Sequence, residues 1–281
     1  MQDDTTAVKA EAKLSQRFDR AFLPLLGMPL ILFIVLPLVA LLTQVPYQDI
    51  FKSVQDLQVR QAIQLSLFTS TISMLVTVVF GTPVAYLLAR SRSRTVHLID
   101  TIVDLPTILP PAVAGVALLI AFGRRGVFGA WLSAIGISLP FTQAAVIMAQ
   151  IFVASPFFIK AAAIGFSGIR TELLEAAALD GASRWQTFWH VTLPLARLSI
   201  LTGSVMTWAR ALGEFGATII FAGNFPGRTQ TMPLAIYVGF EIDLSTALLL
   251  SFILIGFSFL TLAAVKLILN RTSERVERGE I

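Results

Sequence analysis

Apolar residues in this chain run in long blocks instead of alternating with polar ones. A helix needs about 20 mainly apolar residues to cross a hydrocarbon core. Six stretches meet that length: 22–43, about 62–89, about 104–123, about 143–164, about 198–222 and about 246–269. The second is rich in Ser, Thr and β-branched residues, the third contains Pro106, Pro110 and Pro111, and Pro156 interrupts the fourth. The pattern predicts an all-α polytopic membrane protein with six transmembrane helices over 21–270, flanked by polar tails over 1–20 and 271–281. The first block is longer than the apolar core of a signal peptide, and no small-residue cleavage pattern closes it, so it reads as a first span.

Composition agrees with the pattern. Hydrophobic residues make up 56 % of the 281 and charged residues 14 %, against about 25 % charged in a soluble domain. Charge then gives an orientation. With the N-terminus in the cytoplasm, fifteen of the 21 basic residues fall on the inside, five outside, and Arg210 lies within the fifth span. That bias predicts both termini inside, the stretch 165–197 in the cytoplasm and 223–245 outside. In a membrane protein the net charge of +4 speaks to orientation and not to a nucleic-acid partner. There is no cysteine, and His97 and His190 are the two histidines. Disulfides and thiolate metal sites are excluded, and no metal cluster is expected.

The cytoplasmic stretch carries its own local signals. Thr171 can cap a short helix, with Glu172 and Glu175 suiting the positive end of its dipole. Gly181 supplies the left-handed residue at its end. Ser183 and Gln186 fit a capping box that starts a second short helix, and Pro194 predicts a break before the fifth span. Leu174, Ala178, Ala182, Trp185 and Trp189 recur at a spacing of three to four. Packing under the helix bundle would explain Ala176–Ala178 but not two capped helices on this face.

The loop reads Glu175-Ala176-Ala177, three residues, Gly181, nine residues, then Val191-Thr192-Leu193-Pro194. It resembles the signature loop of ABC importer permeases; many importer loops have a proline where this chain has Arg197. The resemblance implies a type I importer permease in a bacterial or archaeal plasma membrane, with Glu175, Ala176, Ala177, Asp180 and Gly181 coupling it to a separate ATPase. Such a subunit is not an enzyme. ATP and Mg stay on the partner, and no cofactor is expected in this chain. The residues agree: the nearest look-alike of a phosphate loop, Gly223–Thr229, is one residue short and has Arg228 in place of the lysine. The resemblance also implies two copies of the chain, because two ATPase subunits need two coupling loops, and a periplasmic or lipoprotein binding protein that delivers the solute.

Of three further stretches, Leu105–Gly115 and Ala209–Thr218 resemble permeases for tetrahedral oxyanions (sulfate, and molybdate or tungstate), and Phe221–Tyr237 is most similar to the molybdate permease, with sulfate as the alternative. Arg210 and Glu214 stand one helical turn apart near the middle of a span. They read either as an internal ion pair or as groups lining the anion path or its gate. Arg228, Thr229, Gln230 and Thr231 form an external donor-rich run, which reads as a solvated loop or as part of the external gate. The prolines at 106, 110 and 111 predict a bent third span. A secondary transporter driven by an ion gradient, with Arg210 and Glu214 as its charge relay, is the alternative from another class. It leaves the cytoplasmic loop without a role.

Overall fold

The computed structural model describes the backbone over 26–45 and 54–277, and side chains as far as residue 267. The expected polar tail over 1–20 lies outside the described residues. The chain divides into two units, Met1–Tyr47 and Gln48–Ile281. The described residues of the first form helix α1 (Leu26–Gln44), of 19 residues and mean hydropathy 2.6.

Every regular element among the described residues of the second unit is a helix. Helix α2 (Leu57–Arg90) starts on Asp56, whose carboxylate accepts from the backbone N–H groups of Gln58 and Val59. Helices α3 (Arg94–Ile108) and α4 (Pro111–Phe122) follow, then short α5 (Gly129–Ala134) and long α6 (Gln143–Ser167). The loop helices are α7 (Thr171–Leu179) and α8 (Arg184–Thr187). A wide π turn, Phe188–Thr192, leads into α9 (Leu193–Leu212). The chain ends with α10 (Gly216–Phe221), α11 (Met232–Ile242) and α12 (Leu244–Glu277).

Four of these helices, α1, α2, α6 and α12, are each long and apolar enough to cross a membrane, and α3 with α4 makes a fifth if the bent pair counts as one span. The expected third span is indeed broken. The axes of α3 and α4 diverge by 117° at Pro110–Pro111, where ring geometry removes two N–H donors and forces the preceding residue out of the helical region. The expected fifth span, 198–222, also differs. Its helix stops at Leu212, Gly213 closes it, and a separate α10 begins at Gly216. Conversely, Pro156 does not interrupt α6, which is continuous from Gln143 to Ser167. Membrane helices tolerate an internal proline where neighbouring helices cover the freed groups.

Helix α6 is central, packing against both α2 and α9. Its interfaces are built from small residues, which let backbones approach closely. On α2 these are Ser66, Thr69, Ser70, Ser73, Thr77, Gly81 and Ala85, all buried at helical spacing. A Cβ on Gly81 would meet the Phe158 ring at 2.9 Å, and one on Gly203 of α9 would meet Ala161 at 3.0 Å. Ser73 donates to Gln150 at 2.9 Å, closing a buried polar contact across the α2–α6 seam. Three apolar clusters frame the unit. One joins α4, α6 and α10 around Val146 and Phe221. A second joins α2, α6 and α9 around Phe158 and Phe166. The third joins α2, α9, α11 and α12 around Val59, Met232 and Leu250.

Candidate functional site

The loop after α6 folds as two short helices joined by a tight turn. Arg170, not Thr171, occupies the capping position of α7, and no side chain caps that end. Thr171 is already the first helical residue, so its hydroxyl is past the point where it could accept from the second or third N–H. Glu172 in the first turn suits the dipole. The far end is a Schellman turn. Gly181 sits at φ +83°. Its N–H donates to Ala178 O, and the Ala182 N–H donates to Ala177 O. The capping box is present in full: Gln186 N–H donates to Ser183 Oγ at 3.3 Å, and Ser183 N–H donates to Gln186 Oε1 at 2.8 Å.

Pro194 breaks nothing. Helical backbone runs from Arg184 through the π turn into α9, with Pro194 in the first turn of α9. The wider π turn accommodates a residue that has no N–H to donate. Glu175, Ala176, Asp180 and Gly181 are exposed on α7 and its turn, and Ala177 is half-buried. Around them Leu173 and Leu179 stand exposed, Leu179 at 88 %, so α7 carries an apolar outer face that the described residues do not cover.

The opposite face of the loop lines a groove of about 1390 Å³. All five residues of the three-to-four pattern, Leu174, Ala178, Ala182, Trp185 and Trp189, line it. Its other wall is the last three turns of α2, from Val78 to Arg90, with Ile200 and Leu201 of α9. Phe188 anchors the loop, meeting Tyr86 edge-on at 5.3 Å between ring centroids and stacking near Trp185 at 6.2 Å. Arg90 and Tyr86, which the sequence did not single out, belong to this groove. Their only local signal was Arg90 at the end of an apolar span.

Two of the three oxyanion-type stretches meet in the structure. A Cβ on Gly115 of α4 would meet Ala217 O at 2.9 Å, and a Cβ on Gly216 would meet Pro111 Cβ at 2.6 Å. The break at Pro110 and the break at Gly213 therefore lie against each other, and only glycine fits at the contact. Glu214 sets the second break. Its side chain is 1 % exposed; Oε2 pairs with Arg210 Nη1 at 2.8 Å, and Oε1 accepts from Ala217 N–H at 2.9 Å. The pair expected within a span is present, but it bridges the end of α9 and the start of α10.

Arg228, Thr229, Gln230 and Thr231 do not form a solvated loop. Arg228 is exposed, while Thr229, Gln230 and Thr231 are buried. Phe225 O accepts from the N–H groups of Arg228, Thr229 and Gln230, and Phe225 N–H donates to Thr229 Oγ1 at 3.0 Å. Met232 N–H donates to Ser66 Oγ at 2.7 Å, which fastens the loop to α2. A further cluster escaped the sequence reading. Lys160 of α6 pairs with Asp100 at 2.6 Å and Asp104 at 2.9 Å, tying α3 to the core. Among the described residues no group of His, Asp or Glu side chains could hold a metal ion.

This architecture is that of a multi-pass, all-α membrane permease. Over 94 % of the chain it superposes, at a TM-score of 0.69 and 22 % identity, on 99 % of a chain from a bacterial ABC transporter that imports the acidic polysaccharide alginate. Residues 81–274 match the family model described as binding-protein-dependent transport system inner membrane component. The molybdenum transport system permease protein ModB of Mycobacterium tuberculosis is 40 % identical over 84 % of this chain and 89 % of its own length. The sulfate permease CysW of Synechococcus elongatus is 37 % identical over 80 % and 79 %. The chain belongs to the family of inner-membrane permease subunits of binding-protein-dependent ABC importers. It is a transport subunit without catalytic chemistry of its own, its ATPase is supplied by a partner, and its family is one that depends on a binding protein.

Proposed function

We propose that the chain is the permease of an importer for molybdate or tungstate, crossing the membrane six times with both termini in the cytoplasm. The observation that carries the substrate is the 40 % identity to ModB across most of both chains, together with the contact between the Leu105–Gly115 and Ala209–Thr218 stretches. In this reading the third span is the broken pair α3–α4, and the fifth is α9 continued across its break by α10. Two copies pair around a shared path. Glu175, Ala176, Ala177, Asp180 and Gly181 dock α7 on the ATPase, and ATP-driven closure of two ATPase subunits pulls both loops together and switches the path between inward and outward access.

Arg210 keeps 30 % of its side chain exposed and offers positive charge to a passing dianion. Glu214 fixes Arg210 and does not itself meet the anion, since like charges repel. Thr229, Gln230 and Thr231 hold the outer gate against α2 as buried packing, with Arg228 at the rim.

Sulfate is the second reading, favoured by the 37 % identity to CysW. One experiment separates the two. The permease, its ATPase and its binding protein are reconstituted in liposomes, and ATP-dependent uptake of radiolabelled molybdate and sulfate is compared. Uptake of molybdate, with sulfate failing to compete at equal concentration, is the expected result. Uptake of sulfate alone would replace the proposal with the second reading, and uptake without ATP would refute both.

A further inference from the structure

The groove beneath the loop carries chemistry that ATPase docking does not use. Three arginines line it, Arg90, Arg184 and Arg197, and no acidic side chain does. Among the described residues none of the three pairs with a carboxylate. Arg90 is the sharpest case. Its Nε and Nη2 atoms are buried with no hydrogen-bond partner, and its guanidinium carbon lies 6.0 Å from the centroid of the Tyr86 ring. A buried guanidinium N–H left without an acceptor is costly, and three arginines without an acidic neighbour give the groove a net positive lining that suits an anion. Apart from Thr82 and Thr187 the rest of the wall is mainly apolar, with Val78, Val79 and Pro83 on α2 and Ile200 and Leu201 on α9. From Val78 to Arg90 the helix rises roughly 18 Å, close to the depth of one leaflet of a bilayer core, about 15 Å. Trp185 and Trp189 stand beside the arginines, where amphipathic rings favour the level of lipid headgroups.

We propose that this groove holds an anionic phospholipid. The phosphate lies against Arg90, Arg184 and Arg197, and an acyl chain runs along Val78–Pro83 opposite Ile200 and Leu201. A free inorganic anion would satisfy the arginines but leave most of the 1390 Å³ of apolar-walled space unfilled. Basic pockets between transmembrane helices at a membrane face select anionic headgroups in this way. The lipid then braces the loop against α2 from the side away from the exposed face of α7. The ligand does not depend on the orientation proposed above, which decides only which leaflet supplies it.

The test uses the full chain, purified in detergent, stripped of lipid and titrated with phosphatidylglycerol, phosphatidylcholine or inorganic phosphate, with bound lipid counted by native mass spectrometry. At least tenfold preference for phosphatidylglycerol over phosphatidylcholine is expected. Arg90→Ala combined with Arg197→Ala should remove that preference. Val79→Trp should reduce binding of both lipids by blocking the apolar wall without removing charge, and Arg94→Ala, outside the groove, should change nothing. If the double variant does not fold, Val79→Trp decides alone. Equal retention of the two lipids, or no response to Val79→Trp, would overturn the proposal. So would full displacement by millimolar phosphate, which would make this a free-anion site. A disulfide between Val79→Cys residues of two copies in native membranes would assign the groove to a second copy and also overturn it.

Discussion

At the residue scale, the Arg210–Glu214 pair separates what the sequence showed from what it hid. Two opposite charges four apart in an apolar stretch were legible as an ion pair. The break between them was not, because Gly213 is unremarkable in a sequence and the pressure that places it is non-local. Gly216 must reach Pro111 and Gly115 must reach Ala217, and no local pattern records a contact a hundred residues away. Glu214 is the more constrained partner. It is buried, and one oxygen caps α10 while the other meets Arg210. Arg210→Ala strands that carboxylate and should destabilise the purified chain by about 2 kcal/mol, below the usual range for a fully buried pair because Arg210 is part-exposed. Glu214→Gln keeps an acceptor for Ala217 N–H and should cost about 1 kcal/mol. Thermal unfolding in detergent checks both. An unchanged melting temperature in Arg210→Ala would mean that the ion pair contributes nothing beyond the cap.

At the element scale, the loop was legible where its signals were local. The capping box at Ser183 and Gln186 and the left-handed Gly181 depend on neighbours within a few positions, and both are present. Thr171 failed as a cap because helix α7 begins one residue earlier than a threonine-capped helix would. Pro194 failed as a break because the π turn at Phe188–Thr192 took up its missing donor, and a π turn has no reliable local signature. A Cβ on Gly181 would meet open space, so Gly181→Ala pays only for the left-handed backbone, about 1 kcal/mol. That cost should be local. Hydrogen exchange over 171–192 should speed up several-fold while the global melting temperature stays within a degree or two.

Asp243 gives α12 a pH-dependent start. The Thr246 hydroxyl, first, and the Ser245 N–H hold its carboxylate below its ordinary value. A depressed folded value adds stability above the unfolded value, and that stability is lost as pH falls through the folded one. The melting temperature of wild type should therefore fall on acidification through the carboxylate range by more than that of Asp243→Asn, which keeps an acceptor for the helix N-terminus.

At the scale of the whole molecule, the six hydrophobic blocks exceed the spans that the helices carry among the described residues. Four single helices and one bent pair carry the length; the fifth block is divided because Glu214 and Gly216 turn the chain toward α4. What the blocks could not show is which surface of the permease meets its motor. In the reading proposed above, that surface is the outer face of α7. There Leu173, Ala176 and Leu179 lie along one side of the helix, while Leu174 and Ala178 face the groove. An exposed leucine on a helix that its own fold leaves uncovered has little to do for the chain alone. Leu179→Asp should leave thermal stability of the isolated permease within about 0.5 kcal/mol. In the complex the same change removes a buried leucine worth about 1.5–3 kcal/mol, so affinity for the ATPase should fall roughly 10- to 100-fold. Microscale thermophoresis between labelled permease and ATPase measures the first quantity, and ATP-driven uptake in liposomes should fall in step at limiting ATPase and recover at excess. Undiminished affinity would move the docking surface off α7. Lost uptake that excess ATPase does not restore would show that Leu179 transmits the stroke as well as holding the contact.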